Sequence, residues 1–349
     1  MKSIKIGTYI IDQNSPVFII AELSANHNGS LATAIETIKA AKRAGADCIK
    51  LQTFTADTIT LNSKSEDFKI SQGTLWDGQY LYDLYKTTHT PWGWHKELIQ
   101  VAKEEGLICF SSPFDNTAVD FLENLNVPAY KIASFEITDI TLIEYVASKG
   151  KPIIISTGIA EIEDIELALD ACHRMGNNDI ALLKCTSSYP APIEEANMCM
   201  VKDLAERFNV ISGLSDHSMG ATVPIVATAF GAKIIEKHFI IDRSIGGPDA
   251  SFSMNEEEFA AMVKAVREAE KAIGVIDYNL TEKQKKGRDF CRSLYVVEDI
   301  KAGKLITESN VRSIRPGFGM HPKYFSNILG KPVLMDVEKG DRMDFSKIK

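Results

Sequence analysis

The segment that decides the fold is residues 210–239, VISGLSDHSMGATVPIVATAFGAKIIEKHF. Its two ends, 210–214 and 233–239, are short apolar runs of the kind that form buried strands. Between them, residues 223–230 have the apolar spacing of a helix, and Gly231 follows where helices commonly end. The segment therefore predicts a strand–helix–strand unit in a parallel sheet that is covered on both faces.

The same strand-then-helix pattern recurs along most of the chain. Eight strands are predicted, each followed by a helix, at 17–22, 47–52, 107–111, 130–133, 152–157, 180–185, 210–214 and 233–239. Eight such units in about 270 residues predict a (β/α)8 TIM barrel. The alternative is a doubly wound open sheet, whose dinucleotide site would follow the first strand. That position reads AELSANHNG and lacks the G-x-G-x-x-G fingerprint.

Charge divides the 349-residue chain into two parts. The whole chain has a net charge of −8, but residues 282–349 carry 15 Lys and Arg against 9 Asp and Glu. This asymmetry indicates a separate C-terminal unit. We expect a catalytic barrel over 1–275, a polar linker over 276–290 and a small domain over 291–349. Two strand-like runs, 292–297 and 333–337, are predicted inside that domain.

Composition also excludes several classes of function. A net negative charge argues against nucleic acid as the main partner. No apolar run is long enough to span a membrane, and polar residues interrupt the N-terminus where a signal peptide would be continuous. A cytoplasmic location is therefore expected. The six cysteines form no C-x-x-C pair, and we expect them to be buried free thiols.

The connection between Gln52 and Trp94 is unusually long and rich in aromatic residues, Trp76 among them. Long loops at the carboxyl face of a barrel often serve the active site. The alternative is an extra hairpin that only covers the barrel. The sequence leaves both interpretations open.

Polar side chains stand at the carboxyl end of nearly every predicted strand. They are Glu22, Lys50, Gln52, Ser111, Ser112, Lys131, Ser134, Glu136, Ser156, Thr157, Lys184, Thr186, Asp216, His217, Glu236, Lys237 and His238. In a barrel these ends converge on one face. Because a buried lysine is costly without an anion, Lys50, Lys131 and Lys184 each need one, from the chain or from a substrate. Lysines beside several serines favour a substrate that carries phosphate or carboxylate.

His217 and His238 end neighbouring strands, whose spacing of about 4.8 Å lets both rings meet one ion. Two histidines completed by water or substrate oxygens fit Mn²⁺ or Mg²⁺ better than a closed zinc site. The alternative is that both are hydrogen-bonded core histidines. His27, just after the first strand, either faces the same site or caps its own loop.

A series of short motifs runs in order along the chain. They are AELSANHNG (21–29), IKLQT (49–53), FSSPF (110–114), YKIASFE (130–136), ISTG (155–158), KCTSSYP (184–190), GLSDH (213–217), IEKHF (235–239), GPD (247–249) and RSIRPG (312–317). Together they resemble the sialic acid synthase family, and the last is similar to its antifreeze-like (SAF) domain. The resemblance implies a transferase that condenses phosphoenolpyruvate with an amino-sugar aldehyde and water, releasing phosphate by C–O cleavage.

The resemblance also implies roles for individual residues. The residues implied to hold phosphoenolpyruvate are Lys50, Ser112, Lys131, Ser134, Ser156, Ser187 and Ser215. The residues implied to face the sugar are Glu22, Gln52, Tyr189 and Asp249. A divalent ion on His217 and His238 is implied, Mn²⁺ before Mg²⁺ or Co²⁺. Glu136 would position the attacking water or handle a proton. Arg315 would enter the partner's barrel in a domain-swapped homodimer and contact an N-acyl group.

Three positions depart from the N-acetylneuraminate branch of the family, which has His, Gly and Asn where this chain has Leu51, Phe135 and Ser187. Two of the changes make the site more apolar, which favours a 6-deoxy sugar. The third change, Ser187 in place of Asn, affects the contact predicted between this residue and phosphoenolpyruvate. N-acetylneuraminate or legionaminic acid synthesis remains open, as does a Schiff-base aldolase that uses Lys184. A non-catalytic sugar-binding module is the alternative from another class.

Overall fold

The computed structural model describes residues 2–349, which form two compact units, one ending at Gly274 and the other spanning Val275–Lys349. Two clusters of buried apolar residues form the core of the first unit, and a third forms the core of the second.

Eight parallel strands of the first unit close into a barrel, which confirms the predicted (β/α)8 TIM fold and excludes the open sheet. Numbered from the N-terminus, the strands of this unit are β1 (Ile4–Ile6), β2 (Tyr9–Ile11), β3 (Phe18–Glu22), β4 (Cys48–Thr53), β5 (Ile108–Pro113), β6 (Tyr130–Ile132), β7 (Ile153–Ser156), β8 (Ile180–Cys185), β9 (Ile211–Asp216) and β10 (Ile234–His238). The barrel consists of β3 to β10. Because β10 pairs with both β3 and β9, the sheet closes on itself.

At least one helix follows each barrel strand. The helices are α1 (Leu31–Arg43), α2 (Ala56–Ile59), α3 (Leu81–Thr88), α4 (His95–Glu104), α5 (Asn116–Asn124), α6 (Ile140–Ala147), α7 (Ile162–Arg174), α8 (Cys199–Phe208), α9 (Thr222–Ala229) and α10 (Glu256–Ile273). Capping side chains explain where several of them begin: Ser30 accepts a hydrogen bond from the Thr33 amide before α1, and Asn255 accepts one from the Glu258 amide before α10. None of the helices in residues 2–349 has the length and apolar character needed to cross a bilayer.

The antiparallel hairpin of β1 and β2 is not predicted from the sequence pattern. Ile4, Ile6 and Ile11 are buried in the same core cluster as the barrel strands. Gly7, in the turn, lies close to the side chain of Ile108 at the start of β5. The hairpin therefore covers the amino ends of the strands, opposite the face to which the polar strand ends point.

The second unit is built around two antiparallel strands, β11 (Ser293–Val296) and β12 (Val311–Ile314), with two short helices, α11 (Glu282–Gly287) and α12 (Phe325–Ile328). The strand predicted at 333–337 is wrong. Val333 and Val337 are buried but form only isolated bridges, to Ile348 and Ile300. The apolar run reflects burial in a compact core rather than a strand ladder. Residues 276–290, predicted as a polar linker, are exposed and contain α11.

All six cysteines are free thiols. Those that are buried are Cys48, Cys109, Cys172 and Cys185. The expectation of burial is wrong for Cys199, which begins α8, and for Cys291, which precedes β11, because both are exposed.

Candidate active site

The polar residues predicted at the strand ends gather at the carboxyl end of the barrel. Strand register brings several together: Glu22 on β3 lies opposite Lys50 on β4 and His238 on β10, and Gln52 lies opposite Ser112 on β5. The charged side chains that are buried there are Glu22, Lys50, Lys131, Asp216, Glu236, Lys237 and Asp249, together with both histidines. Charged groups are rarely buried unless they are paired or functional. This concentration of buried charge therefore marks the candidate site.

Lys50 is neutralised inside the barrel by two carboxylates. Its Nζ lies 2.8 Å from Glu22 Oε2 and 2.7 Å from Glu236 Oε1. Burial alone would raise the pKa of Glu22, but the charges of Lys50 and His238 lower it well below its usual range. Burial likewise opposes the charge of Lys50, yet the two glutamates raise the pKa of Lys50 above its usual range. The expected anionic partner is therefore confirmed for this lysine.

Lys131 is equally buried but has only neutral partners. Its Nζ donates hydrogen bonds to Ser156 Oγ at 2.7 Å and to the carbonyl of Ile132 at 2.8 Å. Within residues 2–349 no carboxylate pairs with it, and burial lowers its pKa. Lys184 also lacks a carboxylate partner in the described chain, and its Nζ donates to the carbonyl of Cys185 at 2.5 Å. Of these two, Lys131 is the fully buried ammonium that a substrate anion would neutralise, whereas Lys184 is only half-buried and lies on the opposite face of β8 from Cys185, which contacts His217.

Serine hydroxyls from neighbouring strands surround the same part of the site. Ser134 Oγ accepts hydrogen bonds from the Ile159 amide at 3.1 Å and from Ser187 Oγ at 3.0 Å. Gly158 approaches so closely that a Cβ there would lie 2.2 Å from Ser187 Oγ, so a larger residue would displace this hydroxyl. Ser112 Oγ is buried without a hydrogen-bond partner. Such unpaired donors beside a buried ammonium are suited to bind an oxyanion.

The two predicted metal-binding histidines meet, with ring centroids 5.3 Å apart. His217 Nδ1 lies 3.0 Å from the carbonyl of Thr186, which assigns the proton to Nδ1 and leaves Nε2 for a metal. His238 Nε2 lies 3.7 Å from Glu22 Oε2, and its Nδ1 lies 3.8 Å from Asp249 Oδ2. Burial lowers the pKa of His238, which keeps the neutral, metal-binding form. In the described residues no group of three or more His, Cys, Asp or Glu side chains is arranged to hold a metal. Two histidines would therefore depend on substrate or water oxygens to complete the coordination.

Three of the four predicted sugar-facing residues, Glu22, Gln52 and Asp249, are joined in one hydrogen-bonded chain. Gln52 Nε2 donates to Glu22 Oε1 at 2.7 Å and to Ser24 Oγ at 3.1 Å, and Ser24 Oγ donates to Asp249 Oδ2 at 2.5 Å. Ser24 was missed from the sequence, although it stands in the same motif as Glu22. The motif does not reveal that its hydroxyl turns inward.

Tyr189 packs over the histidines, with its ring centroid 4.4 Å from that of His217 and 6.3 Å from that of His238. The ring of Trp76, from the long connection between β4 and α4, lies 5.8 Å from the Tyr189 ring. The indole Nε1 of Trp76 is buried without a partner. This geometry favours the interpretation in which the long connection serves the site.

Glu136 follows β6 and keeps one carboxylate oxygen, Oε2, buried without a hydrogen bond. Burial raises the pKa of Glu136 to about 7, although the charge of Lys131 opposes this shift. A carboxyl group with such a pKa can hold or release a proton near neutral pH.

Two residues singled out in the sequence take no part in these hydrogen-bonded groups. His27 Nδ1 accepts a hydrogen bond from the Gly29 amide at 3.0 Å, which favours the role of a loop cap. Arg315 follows β12 in the second unit, where it is exposed. Its predicted entry into a partner's barrel stays a prediction.

Comparison with known proteins shows the class. Residues 37–278 match the NeuB family and residues 292–342 match the SAF domain. The chain belongs to the NeuB family, which confirms the resemblance to sialic acid synthases.

Individual relatives cover nearly the whole chain. A pseudaminic acid synthase of Campylobacter jejuni is 49% identical over 339 residues, covering 97% of this chain and 98% of that protein. An N,N'-diacetyllegionaminic acid synthase of Legionella pneumophila is 36% identical over 328 residues, covering 93% and 92%. The solved structure of spore coat polysaccharide biosynthesis protein SpsE from Bacillus subtilis is 33% identical, covers 100% of this chain and 99% of that one, and has a TM-score of 0.68.

The raised pKa of Glu136 predicts a specific pH dependence of stability. Between the pKa of the unfolded chain, near 4.5, and the folded value of about 7, the folded state binds the extra proton, so stability is lost as the pH rises through this window. E136Q removes this loss. The difference in free energy of unfolding between E136Q and the parent should therefore rise by roughly 2–3 kcal/mol as the pH goes from 4.5 to 7.5. Urea unfolding at several pH values measures it.

The control is E97Q, which makes the same substitution at an exposed position on α4. The difference between E97Q and the parent should stay constant across the same pH range. A constant difference for E136Q as well would contradict the burial argument.

Proposed function

We propose that this chain is a pseudaminic acid synthase. It would join phosphoenolpyruvate to 2,4-diacetamido-2,4,6-trideoxy-β-L-altropyranose, in its open-chain aldehyde form, with water, and release phosphate. The observation that carries the proposal is the higher identity to a pseudaminic acid synthase than to a legionaminic acid synthase over nearly the full chain. One sequence feature agrees with it, GTLWD at 73–77, which resembles the pseudaminic branch. Leu51, expected to make the site more apolar, is instead buried in the core cluster that includes Leu98 of α4.

The phosphate of phosphoenolpyruvate would bind where the barrel has positive charge but no carboxylate. Lys131 and Ser156 would hold its phosphate together with the hydroxyls of Ser112, Ser134 and Ser187. Charge-assisted hydrogen bonds of this kind are short and strong in a dry pocket. Lys50 would reach the carboxylate of phosphoenolpyruvate with its remaining donor. Ser215, whose Oγ lies 3.3 Å from Glu236 Oε1, would contact the same end of the substrate.

His217 and His238 would hold a divalent ion, Mn²⁺ before Mg²⁺ or Co²⁺. The residues fit such an ion, because the two imidazoles face one another and oxygens from water or substrate can fill the other positions. When bound, the ion supplies polarisation of the aldehyde carbonyl oxygen. Tyr189, packed on His217, would keep this part of the site dry.

In the reaction, the methylene carbon C3 of phosphoenolpyruvate attacks the aldehyde carbon, and a C–C bond forms while the aldehyde oxygen becomes a hydroxyl. Positive charge develops at C2, and water adds there. Glu136, with its pKa near neutrality, positions this water and takes its proton. The tetrahedral C2 then forms its ketone C=O and expels phosphate by breaking the C–O bond, so phosphate keeps the bridging oxygen and takes up the proton of the C2 hydroxyl. The proton removed from the water balances the one that the aldehyde oxygen gains. Lys131 and the serines stabilise the departing phosphate throughout.

A domain-swapped homodimer completes the proposal, with Arg315 of each chain contacting the N-acyl group of the sugar in the other barrel. Large apolar side chains are exposed on the loops at the carboxyl face of the barrel, including Phe135 (57%) and Ile159 (46%). Such exposed apolar groups mark a surface that another protein covers. Arg315 itself is exposed, beside the exposed Phe318.

The cytoplasmic location expected from the sequence stays a prediction.

The first prediction concerns the reaction itself. Phosphate release from phosphoenolpyruvate should require both a divalent ion and the 6-deoxy diacetamido sugar of altro configuration. The assay compares this sugar with N-acetylmannosamine and with the diacetamido precursor of legionaminic acid, each in EDTA and in added Mn²⁺. Release with one of the other two sugars instead would keep the chemistry and change the substrate. Covalent trapping by borohydride, with no metal dependence, would support a Schiff-base aldolase.

The second prediction concerns the shared site. K131M and R315A should each be inactive alone, but subunits mixed under conditions of exchange should regain about one quarter of the parent activity, because half of the dimers are hybrids and each hybrid has one intact site of two. The control mixture is K131M with H217A, which leaves no intact barrel in any hybrid. No recovery in the first mixture, or equal recovery in both, would contradict the swapped arrangement.

A further inference from the structure

Ser24 has a backbone conformation that its residue type does not favour. Its φ is 45°, in the left-handed region. The other non-glycine residues with positive φ in residues 2–349 are all asparagines, namely Asn28, Asn126, Asn197 and Asn209. Asparagine tolerates this region because its side chain bonds locally, whereas serine has no such advantage. A strained residue persists only where the surroundings hold it, and such residues cluster at functional sites.

What holds Ser24 is its hydroxyl, which is used as both donor and acceptor. It donates to Asp249 Oδ2 at 2.5 Å and accepts from Gln52 Nε2 at 3.1 Å. The residue is 4% exposed, and its neighbour Ala25 adds an amide contact to the same Oδ2 at 3.5 Å. Both hydrogen-bonding partners are residues that the family resemblance implies to face the sugar.

The hydroxyl also decides which atoms remain for a substrate. Both N–H groups of Gln52 are occupied, one by Glu22 Oε1 and one by Ser24, so its free polar atom is the acceptor Oε1. On Asp249, Oδ2 is engaged, which leaves Oδ1, also an acceptor. Free acceptors such as these two bind groups that donate, for example the amide N–H of an acetamido group or a sugar hydroxyl.

We propose that Ser24 is a positioning residue for the hexose. It holds the Gln52 amide and the Asp249 carboxylate so that both present acceptors to the N–H and O–H groups of the sugar. The inference rests on the proposed function and deepens it. Without the hydroxyl, the amide of Gln52 and the carboxylate of Asp249 lose their shared partner, and their orientation toward the sugar is no longer fixed.

The test compares S24A and S24G in steady-state kinetics of the full-length enzyme. Both lack the hydroxyl, but only glycine relieves the left-handed backbone. We expect both to raise the KM for the hexose about tenfold or more, with the KM for phosphoenolpyruvate within about twofold of the parent. S24G should also unfold at a higher temperature than S24A, which separates the backbone from the hydroxyl. The matched control is N28G, in the same loop with a φ of 44°, whose kinetics should match the parent.

An unchanged KM for the hexose in S24G would overturn the inference and leave the proposed function intact. An equal rise in both KM values would also overturn it, since it would show that Ser24 only supports the loop. Absence of turnover with any hexose in the parent enzyme would overturn the proposed function, and the inference with it.

Discussion

The ion pair network of Lys50 with Glu22 and Glu236 is the constraint on which the rest of the site depends. One buried ammonium lies between two buried carboxylates, at 2.8 and 2.7 Å. Removing Lys50 would leave two buried carboxylates without their cation, which is strongly destabilising. Both carboxylates on this side of the barrel, Glu22 and Glu236, are paired with Lys50. Lys131, on β6, is left with neutral partners only.

This unequal distribution of charge divides the site into two halves with different chemistry. The half around Lys131 offers donors, namely an ammonium and serine hydroxyls, and suits a phosphate ester. The other half offers acceptors on Gln52 and Asp249, and suits a sugar that carries hydroxyl and amide N–H groups. His238 lies beside Glu22 and Asp249, with His217 next to it, so the histidine pair adjoins the acceptor half, where an aldehyde oxygen would meet the ion of the proposed function.

The sequence was enough to predict the barrel, its eight strands and the proximity of His217 to His238, because strand periodicity and glycine positions are local signals. It also anticipated that buried lysines need anions, but it could not tell Lys50 from Lys131. That distinction depends on which strands become neighbours, since Glu236 reaches Lys50 only when the barrel closes. Ser24 was missed because a single backbone angle turns its hydroxyl inward. The run 333–337 was wrong because apolar residues in a small core need not form a ladder.

The most direct test of this account compares two substitutions of the same kind, K50M and K131M. K50M should lower the free energy of unfolding by about 3–5 kcal/mol, because it leaves two buried carboxylates without a cation. K131M should keep nearly the parent stability yet bind phosphoenolpyruvate at least about thirtyfold more weakly in isothermal titration calorimetry. If K131M were destabilised as much as K50M and bound phosphoenolpyruvate with the parent affinity, Lys131 would be a structural residue and the account would be contradicted.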